Sequence, residues 1–495
     1  MADASRGPGA RLAVVGAGPA GIAGAVAAAD AGITVTVVDA GPQIGGQFYR
    51  QPAASLHAHQ PGALHHARGT WASLRSRFER HIAADRIRYL PDHHVWLAQR
   101  TDTGYRLHAL VGPEQERSAP VSAHALLLAT GAYERVLPFP GWTLPGVMTA
   151  GGAQAMLKGA LTLPGRRTVV AGTGPLLLPV AAGLAAAGAR IEALIDSADL
   201  RGLIRHAPAF AASPGKLVEG LGYALRFARY RVPIRYRHTV VAAHGKECVE
   251  AVTVAALDRD GRVRTGSERR IACDSLAIGH GLLPHLDLAL SLGARIEDGN
   301  GPGVRVDQAQ QTSVPGLWAA GETTGIGGAA LAEVEGEIAG GSAASWLRQA
   351  ANPDRADGGS RLLVSAQNAR RRRRLRGFFA ALDAVYSPPA ALTDLITADT
   401  TVCRCEEVTA AAVREAVREY GATDPRTVKL LTRAGMGWCQ GRVCGPAVAR
   451  LVAECGGAAG ALLDGASAPR PLARPVPLGV LALDDPDEEG TREHP

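Results

Sequence analysis

The sequence predicts an α/β chain: two Rossmann-like dinucleotide-binding domains, one inserted in the other, followed by a small helical C-terminal domain. Three observations carry this reading. A strand, a Gly-x-Gly-x-x-Gly turn, a helix and a second strand ending on an acid run through residues 11–39. The same order returns at 167–196. Four of the seven cysteines fall between positions 403 and 444.

The first unit opens on Arg11-Leu-Ala-Val-Val15, a short apolar run suited to a buried parallel strand. A helix-forming stretch reaches Ala31, and Thr34-Val-Thr-Val-Val-Asp39 is the second strand. In Gly16-x-Gly18-x-x-Gly21 the first glycine allows the tight turn and the second lets a pyrophosphate approach the backbone. The third lets helix pack on strand. The helix N-terminus offers free N–H donors to phosphates, and Asp39 stands where an acid bonds ribose hydroxyls. Residues from about 55 to 88 read as helical and rich in histidine. His93–Gln99 and Tyr105–Val111 read as a hairpin, and Leu126–Gly131 as a buried strand.

The second unit repeats the logic. Arg167–Ala171 is a strand, Gly172-Thr-Gly174 a turn, Pro175–Gly188 a helix and Ile191–Asp196 a strand. Leu177 stands where the third glycine belongs, so helix and strand pack wider there. The incomplete fingerprint leaves two readings open: an NAD(P) or other adenine-nucleotide site with Asp196 on the ribose, or a retained fold with an altered pocket.

Composition bounds the function. A chain of 495 residues has room for two to four domains at about 100–200 residues each. Hydrophobic residues at 46% and charged ones at 20% are those of a globular protein. The formal charge of +7 weakly favours anionic partners, but no interleaved aromatic and basic pattern points to nucleic acid. Seven cysteines exclude a disulfide-stapled scaffold. Two uncharged segments, Leu12–Ala29 and Thr168–Gly188, imitate membrane signals. Glycine turns break both, so we expect no transmembrane segment and a cytoplasmic protein. Histidines 57, 59, 65, 66, 81, 93 and 94 lack a carboxylate partner or an i, i+4 pairing and read as surface or cofactor-lining groups. Arg370–Arg374 reads as a solvated helix face beside a domain junction.

Cys403-Arg-Cys405 and Cys439-Gln-Gly-Arg-Val-Cys444 supply four thiolates, enough for zinc or a [2Fe–2S] cluster. Ligand type does not choose between them. Cys-x-Cys is unusual among zinc ribbons, and Gly435, Gly437, Gly441 and Gly445 free backbone N–H groups to point at sulfur. Thr409 is the expected N-cap of a helix over Ala410–Glu419. Cys248 and Cys273 lie far apart in sequence, which argues against a thiol–disulfide reductase, and Cys455 is spare.

Three resemblances extend this. Gly16–Gly21, Asp39, Gly45-Gly46-Gln47, Ala129-Thr130-Gly131 and Gly321-Glu322 resemble the two-dinucleotide-domain flavoproteins, the family of the disulfide reductases, over about 11–345. The family's usual acid in the late pair is Asp, one methylene shorter than Glu322. Cys-Arg-Cys-Glu-Glu-Val-Thr409 and Gly435-Met-Gly-x-Cys-Gln-Gly-Arg-x-Cys-Gly-Pro446 resemble the bacterioferritin-associated-ferredoxin-like (BFD-like) [2Fe–2S] domain over about 400–455. With Glu134–Met148 and Thr324–Gly328, the whole chain to about 455 resembles the large flavoprotein subunits of heteromeric amine and imino-acid dehydrogenases. That group takes in hydrogen cyanide synthases, opine oxidases, hydroxyproline dehydrogenases and sarcosine oxidases.

The resemblance implies an FAD-dependent oxidoreductase subunit for a small-molecule amine or amino acid: an opine, glycine, proline or hydroxyproline, or sarcosine-like substrate. Electrons would pass through the flavin and a [2Fe–2S] cluster. It implies Gly16, Gly18, Gly21, Asp39, Gly46, Gln47, Thr130, Gly131, Gly321 and Glu322 as FAD contacts. Gly172, Gly174 and Asp196 would serve NAD(P) or ATP, and Cys403, Cys405, Cys439 and Cys444 would be the cluster ligands. A smaller FAD-dependent beta subunit, like an amino-acid oxidase, would be the partner. Some relatives would add an interfacial FMN and a small ferredoxin-like subunit. The other reading is a self-sufficient NAD(P)H-dependent reductase of a ferredoxin or other acceptor. No acid or base motif names a catalytic residue. Domain limits follow: FAD-binding 1–150 and 281–350, second nucleotide domain 151–280, helical linker 351–395, [2Fe–2S] domain 396–460, and a disordered tail 461–495.

Overall fold

The structure is a computed structural model, and it describes residues 10–59, 68–112, 114–299, 301–351, 365–458 and 472–483. Its first sheet has five parallel strands in the order Leu317–Ala319, Ala125–Leu128, Arg11–Val15, Thr34–Val38 and Ile87–Leu90. Leu12, Val14, Val35, Val37 and Leu127 face one side and are buried under the helices Pro19–Asp30 and Gly328–Ala351. Ala13, Val15, Leu126 and Leu128 face the other side, buried under an antiparallel meander. Burial on both faces is why these strands read as unbroken apolar runs. The hairpin expected at 93–111 gains a third strand, Arg117–Ala123.

The second sheet is also parallel: Ile234–Tyr236, Arg190–Asp196, Arg167–Gly172, Ser275–Gly279 and Val147–Thr149. It carries its own meander, 238–272. Ala132–Glu134 on the way out pairs with Leu282–Pro284 on the way back. The second unit is thus inserted in the first, because Leu317–Ala319 returns to the first sheet. Both membrane-like segments resolve into a strand and a helix. Among the described residues no helix is long and apolar enough to cross a membrane.

The linker helix Ala366–Val385 starts at Ser365, whose hydroxyl accepts from the N–H of Asn368. Its apolar face packs on the second domain through Phe378, Ala381 and Val385 against Phe210. The arginine run lies on it, but not all of it is solvated: Arg372 turns inward, 3.5 Å from the buried Glu335. The loop expected at 351–360 lies, past residue 351, outside the described residues.

Residues 401–454 fold as a hairpin and three helices around Val402, Val413, Val428, Val448 and Leu451. Thr409 caps the helix Ala410–Arg418, its hydroxyl accepting from Ala412 N–H. Trp142 of the inserted domain's entry donates its indole N–H to the Thr401 carbonyl at 2.6 Å, seating this unit. Of the tail expected to be disordered, 461–471 and 484–495 lie outside the described residues. Residues 472–483 instead lie on the first domain, where Ala473 N–H bonds the Trp96 carbonyl and Val480 buries against Trp96 and Leu110. A short apolar segment inside a polar, Pro-rich stretch has enough side chain to dock when a meander offers a partner.

Candidate functional site

The first glycine turn is built by close approach. Gly16 has φ +105°, and a Cβ there would sit 2.3 Å from the Ala129 carbonyl oxygen; one on Gly21 would sit 1.8 Å from that of Gly16. Gly18 begins the helix Pro19–Asp30 with no side-chain cap, so the N-terminal N–H groups stay available to an anion. Opposite, a Cβ on Gly46 would lie 2.9 Å from the Gly18 Cα. Gln47 turns away, its amide oxygen accepting from Arg50 at 2.6 Å. Asp39 accepts from two N–H donors, Ala17 in the turn and Gly41 just after its own strand, the latter at 2.7 Å. Burial pushes its carboxyl up against these bonds.

Thr130, Gly131, Gly321 and Glu322 meet at the ends of the strands Ala125–Leu128 and Leu317–Ala319. Thr130 Oγ1 lies 3.2 Å from Thr323 Oγ1, which also accepts from Gly131 N–H at 3.2 Å. Space beyond Gly131 is open: nothing lies within 4 Å of where its Cβ would be, at φ +73°. Glu322 bonds Gly328 N–H at 3.0 Å, capping the long helix Gly328–Ala351, and burial pushes its carboxyl up. The turn is clamped from below by a residue that sequence patterns do not reveal. Glu335, with a fully buried side chain, accepts from Gly321 N–H at 3.1 Å and Thr324 Oγ1 at 3.0 Å. Arg376 of the linker helix holds the other carboxylate oxygen at 2.6 Å and the Thr324 carbonyl at 3.1 Å.

Equally hidden in the sequence is how the two helices cross. A Cβ on Gly336 would sit 2.1 Å from the Ala20 carbonyl oxygen, and one on Gly340 2.0 Å from that of Gly24. The Gly-x-x-x-Gly spacing is visible but has no partner in the sequence.

A cavity of about 1110 Å³ opens between this turn and the second domain. Its lining includes Tyr49, Arg135, Gly174, His280, Glu322 and Asp383. Burial pushes His280 down to about 4, so its imidazole is neutral, and pushes Asp383 up to about 7. No cysteine lines the cavity among the described residues. An open glycine cradle, helix N–H groups and a cavity at the strand ends fit a flavin dinucleotide.

The second turn keeps the same shape. Gly172 has φ +132°, and a Cβ there would lie 1.8 Å from the Gly279 carbonyl oxygen, whereas Gly174 faces open space. Leu177 is absorbed into the core beneath the helix Leu177–Ala186. Asp196 is buried and bonds Ala198 N–H at 2.9 Å; desolvation pushes it up to about 7. Burial, with Asp196 and then Tyr236 nearby, pushes the phenol of Tyr386 at the end of the linker helix up.

The four cysteines come together in the C-terminal unit. Cys444 hydrogen-bonds Cys403 and Cys439, and Cys405 bonds Cys439. Hydrogen bonding within this group of thiols pulls Cys403 and Cys439 below the usual thiol value and pushes Cys444 up. Backbone N–H groups of Gly435 and Glu406 reach Cys403, and those of Val443 and Gly441 reach Cys439. Gly437 is compelled, since a Cβ would lie 2.1 Å from the Cys405 Cβ. The contacts form an open chain. Among the described residues no three His, Cys, Asp or Glu side chains converge tightly enough for one metal ion. Four paired thiols with N–H donors suit a two-iron cluster better than a single tetrahedral zinc.

Arg442 lies between the second pair of cysteines. It donates to the carbonyl of Cys439 at 3.1 Å and, from Nε and Nη2, to Asp287 of the first domain at 3.2 and 3.1 Å. The histidines are dispersed: His81 pairs with Asp30 at 2.7 Å, His93 bonds the Pro91 carbonyl at 2.6 Å and His94 meets Arg474. His65 and His66 lie outside the described residues. Cys248 is exposed, Cys273 buried and Cys455 half-buried.

Residues 10–346 match the pyridine nucleotide-disulphide oxidoreductase family, and residues 401–454 match the BFD-like [2Fe-2S] binding domain. The chain is 34% identical over 449 residues to an opine oxidase subunit of Agrobacterium tumefaciens (strain Ach5), covering 89% of this chain and 85% of that one. It is 34% identical over 438 residues to hydrogen cyanide synthase subunit HcnB of Pseudomonas aeruginosa, covering 88% and 90%. The crystal structure of L-proline dehydrogenase from P. horikoshii superposes with a TM-score of 0.64 at 19% identity, over 96% of this chain and 81% of that one, a likeness of fold. On these matches and the two sites that underlie them, the chain belongs to the pyridine nucleotide-disulphide oxidoreductase family and is a flavin-dependent oxidoreductase with a C-terminal BFD-like [2Fe–2S] domain.

Proposed function

We propose that this chain is the electron-transfer subunit of a heteromeric dehydrogenase that oxidises the C–N bond of a small amine or amino acid. The observation that carries the reading is the joining of a dinucleotide cradle without a neighbouring cysteine to a four-thiol loop, in one folded unit. The substrate class comes from the relatives: opines, glycine, proline or hydroxyproline, or sarcosine. The bond oxidation is assigned to a smaller FAD-dependent subunit. An interfacial FMN and a small ferredoxin-like subunit are further members of the assembly. Localisation is proposed as cytoplasmic.

Gly16, Gly18 and Gly21 are assigned to the FAD pyrophosphate, with Asp39, Gly46, Gln47, Thr130, Gly131, Gly321 and Glu322 around the rest of the dinucleotide. Cys403, Cys405, Cys439 and Cys444 are assigned to the cluster. When bound, the flavin supplies exchange between two-electron and one-electron steps, and the cluster carries single electrons. The chain's own work is to hold these groups and exclude water. The first helix N-terminus neutralises phosphate charge, and Glu335 with Arg376 fixes the turn at 321–324. Asp383, held at about 7, stands in the cavity as a group able to hold or release a proton near neutral pH, while His280 stays neutral beside it. The second site, with Gly172, Gly174 and Asp196, is assigned NAD(P) or ATP.

The test is anaerobic purification with iron, sulfide and flavin quantified per chain, then amine-dependent ferricyanide reduction with and without the smaller subunit. About one FAD, two irons and two sulfides, with activity only in the pair, is the expected result. Rapid flavin bleaching by NADH or NADPH in the isolated chain would overturn it.

A further inference from the structure

We infer that Arg442 and Asp287 form a latch that fixes the cluster domain on the flavin domain, and that Arg442 is a positioning residue for electron passage between them. The inference rests on the function proposed above.

The geometry is unusual for a domain contact. Asp287 has a 1% exposed side chain and Arg442 a 13% exposed one, so the pair is closed off from solvent. Two guanidinium nitrogens reach the same carboxylate oxygen. A third, Nη1, donates to the Cys439 carbonyl at 3.1 Å and to Gln440 Oε1 at 3.0 Å. Arg442 also bonds the Ala473 carbonyl of the tail segment. One side chain therefore ties the cluster loop, the flavin domain and the tail.

Behind the pair, the network continues to the flavin turn. Asp287 lies 3.7 Å from His285 Nδ1. The His285 carbonyl accepts from Thr130 Oγ1 at 2.9 Å, and its N–H bonds the Gly131 carbonyl at 2.9 Å. A continuous run of contacts leads from the backbone of Cys439 to the residues assigned to the flavin. A buried ion pair adds little net stability but fixes register. A forked, planar cation is suited to hold several acceptors at once, which an ammonium is not.

In the step concerned, a bound reduced flavin would give one electron to an oxidised cluster held by Cys403, Cys405, Cys439 and Cys444, and a one-electron acceptor, ferricyanide in the assay, would take it on. Two such transfers would reoxidise the flavin, its protons leaving to solvent. Small changes in the separation of the two groups alter such a rate steeply.

The experiment uses the full chain as purified, with Arg442→Lys and Asp287→Asn as variants. Flavin is reduced by a laser pulse, and cluster reduction is followed by its absorbance, with the cluster's EPR spectrum recorded in parallel. We expect normal flavin, iron and EPR signals in both variants and a flavin-to-cluster rate lower by about tenfold or more. Amide exchange over 440–444 and 472–474 should rise. Unchanged rates in both fully loaded variants would overturn the latch. If one variant loses its cluster or does not fold, the other decides. A wild-type chain without iron, or with no flavin-to-cluster transfer, would instead overturn the proposed function itself.

Discussion

Glu335 and Arg376, 41 residues apart, close an ion pair of 2.6 Å directly under the turn assigned to the flavin. The carboxylate is fully buried, and its second oxygen serves the Gly321 N–H and the Thr324 hydroxyl. Removing the cation leaves a buried charge with only Arg372, at 3.5 Å, to answer it. Arg376→Ala should therefore cost about 3 kcal/mol in denaturant unfolding and raise the FAD dissociation constant. Glu335→Gln, which removes the charge as well, should cost less. Equal losses in the two variants would refute the assignment.

The helix crossing gives a sharper contrast. Gly340→Ala must push a methyl into the Gly24 carbonyl, 2.0 Å from its Cβ, while Gly341→Ala next to it meets nothing within 4 Å. The first should destabilise by about 1–3 kcal/mol through forced separation of the helices. The second should be neutral, or gain up to about 1 kcal/mol from helix propensity. Thermal unfolding of the pair decides, and a stable, flavin-loaded Gly340→Ala would show that the crossing tolerates opening.

At the cysteine loop, Cys439→Ser should abolish iron and acid-labile sulfide while leaving flavin near one per chain, read by metal analysis and visible absorbance. The same experiment on Cys455→Ser should change neither. Loss of flavin together with iron in Cys439→Ser would mean the two sites do not fold independently.

Asp196 gives a pH signature. Its carboxyl is held at about 7, above the ordinary value of 3.8, mainly by desolvation. The folded state then binds the proton more tightly than the unfolded state. Its stabilising effect is complete below about pH 4 and is lost as pH rises through 7. Asp196→Asn cannot ionise, so its stability relative to wild type should improve from pH 5 to pH 8, measured by urea unfolding. A constant difference across that range would show that Asp196 is ionised throughout.

The first turn was legible because Gly16, Gly18 and Gly21 lie within six positions and the clash that compels Gly21 is with the Gly16 carbonyl oxygen, although the clash that compels Gly16 is with distant Ala129. The cysteine loop was legible for the same reason. Gly336 and Gly340 carried a visible spacing, but their meaning depends on Ala20 and Gly24, over 300 residues earlier. Arg376 hid inside an arginine-rich helix that composition reads as solvated, and its partner is a single buried acid. Arg442 was hidden differently: it sits in a motif already explained by its cysteines, while Asp287 lies 155 residues away. Expectation and structure part most at the tail, where Ala473 and Val480 are buried in a stretch whose overall composition is polar.

The indole of Trp142 on the Thr401 carbonyl bears on how this chain could be taken apart. The small unit at 401–454 is not an interchangeable bead. A chimera made by swapping in another such unit at that seam would have to reproduce a carbonyl for Trp142 and a guanidinium for Asp287. Recombination within the lineage should then favour exchange of the whole stretch from the linker helix onward, with the residues it grips inherited as a set.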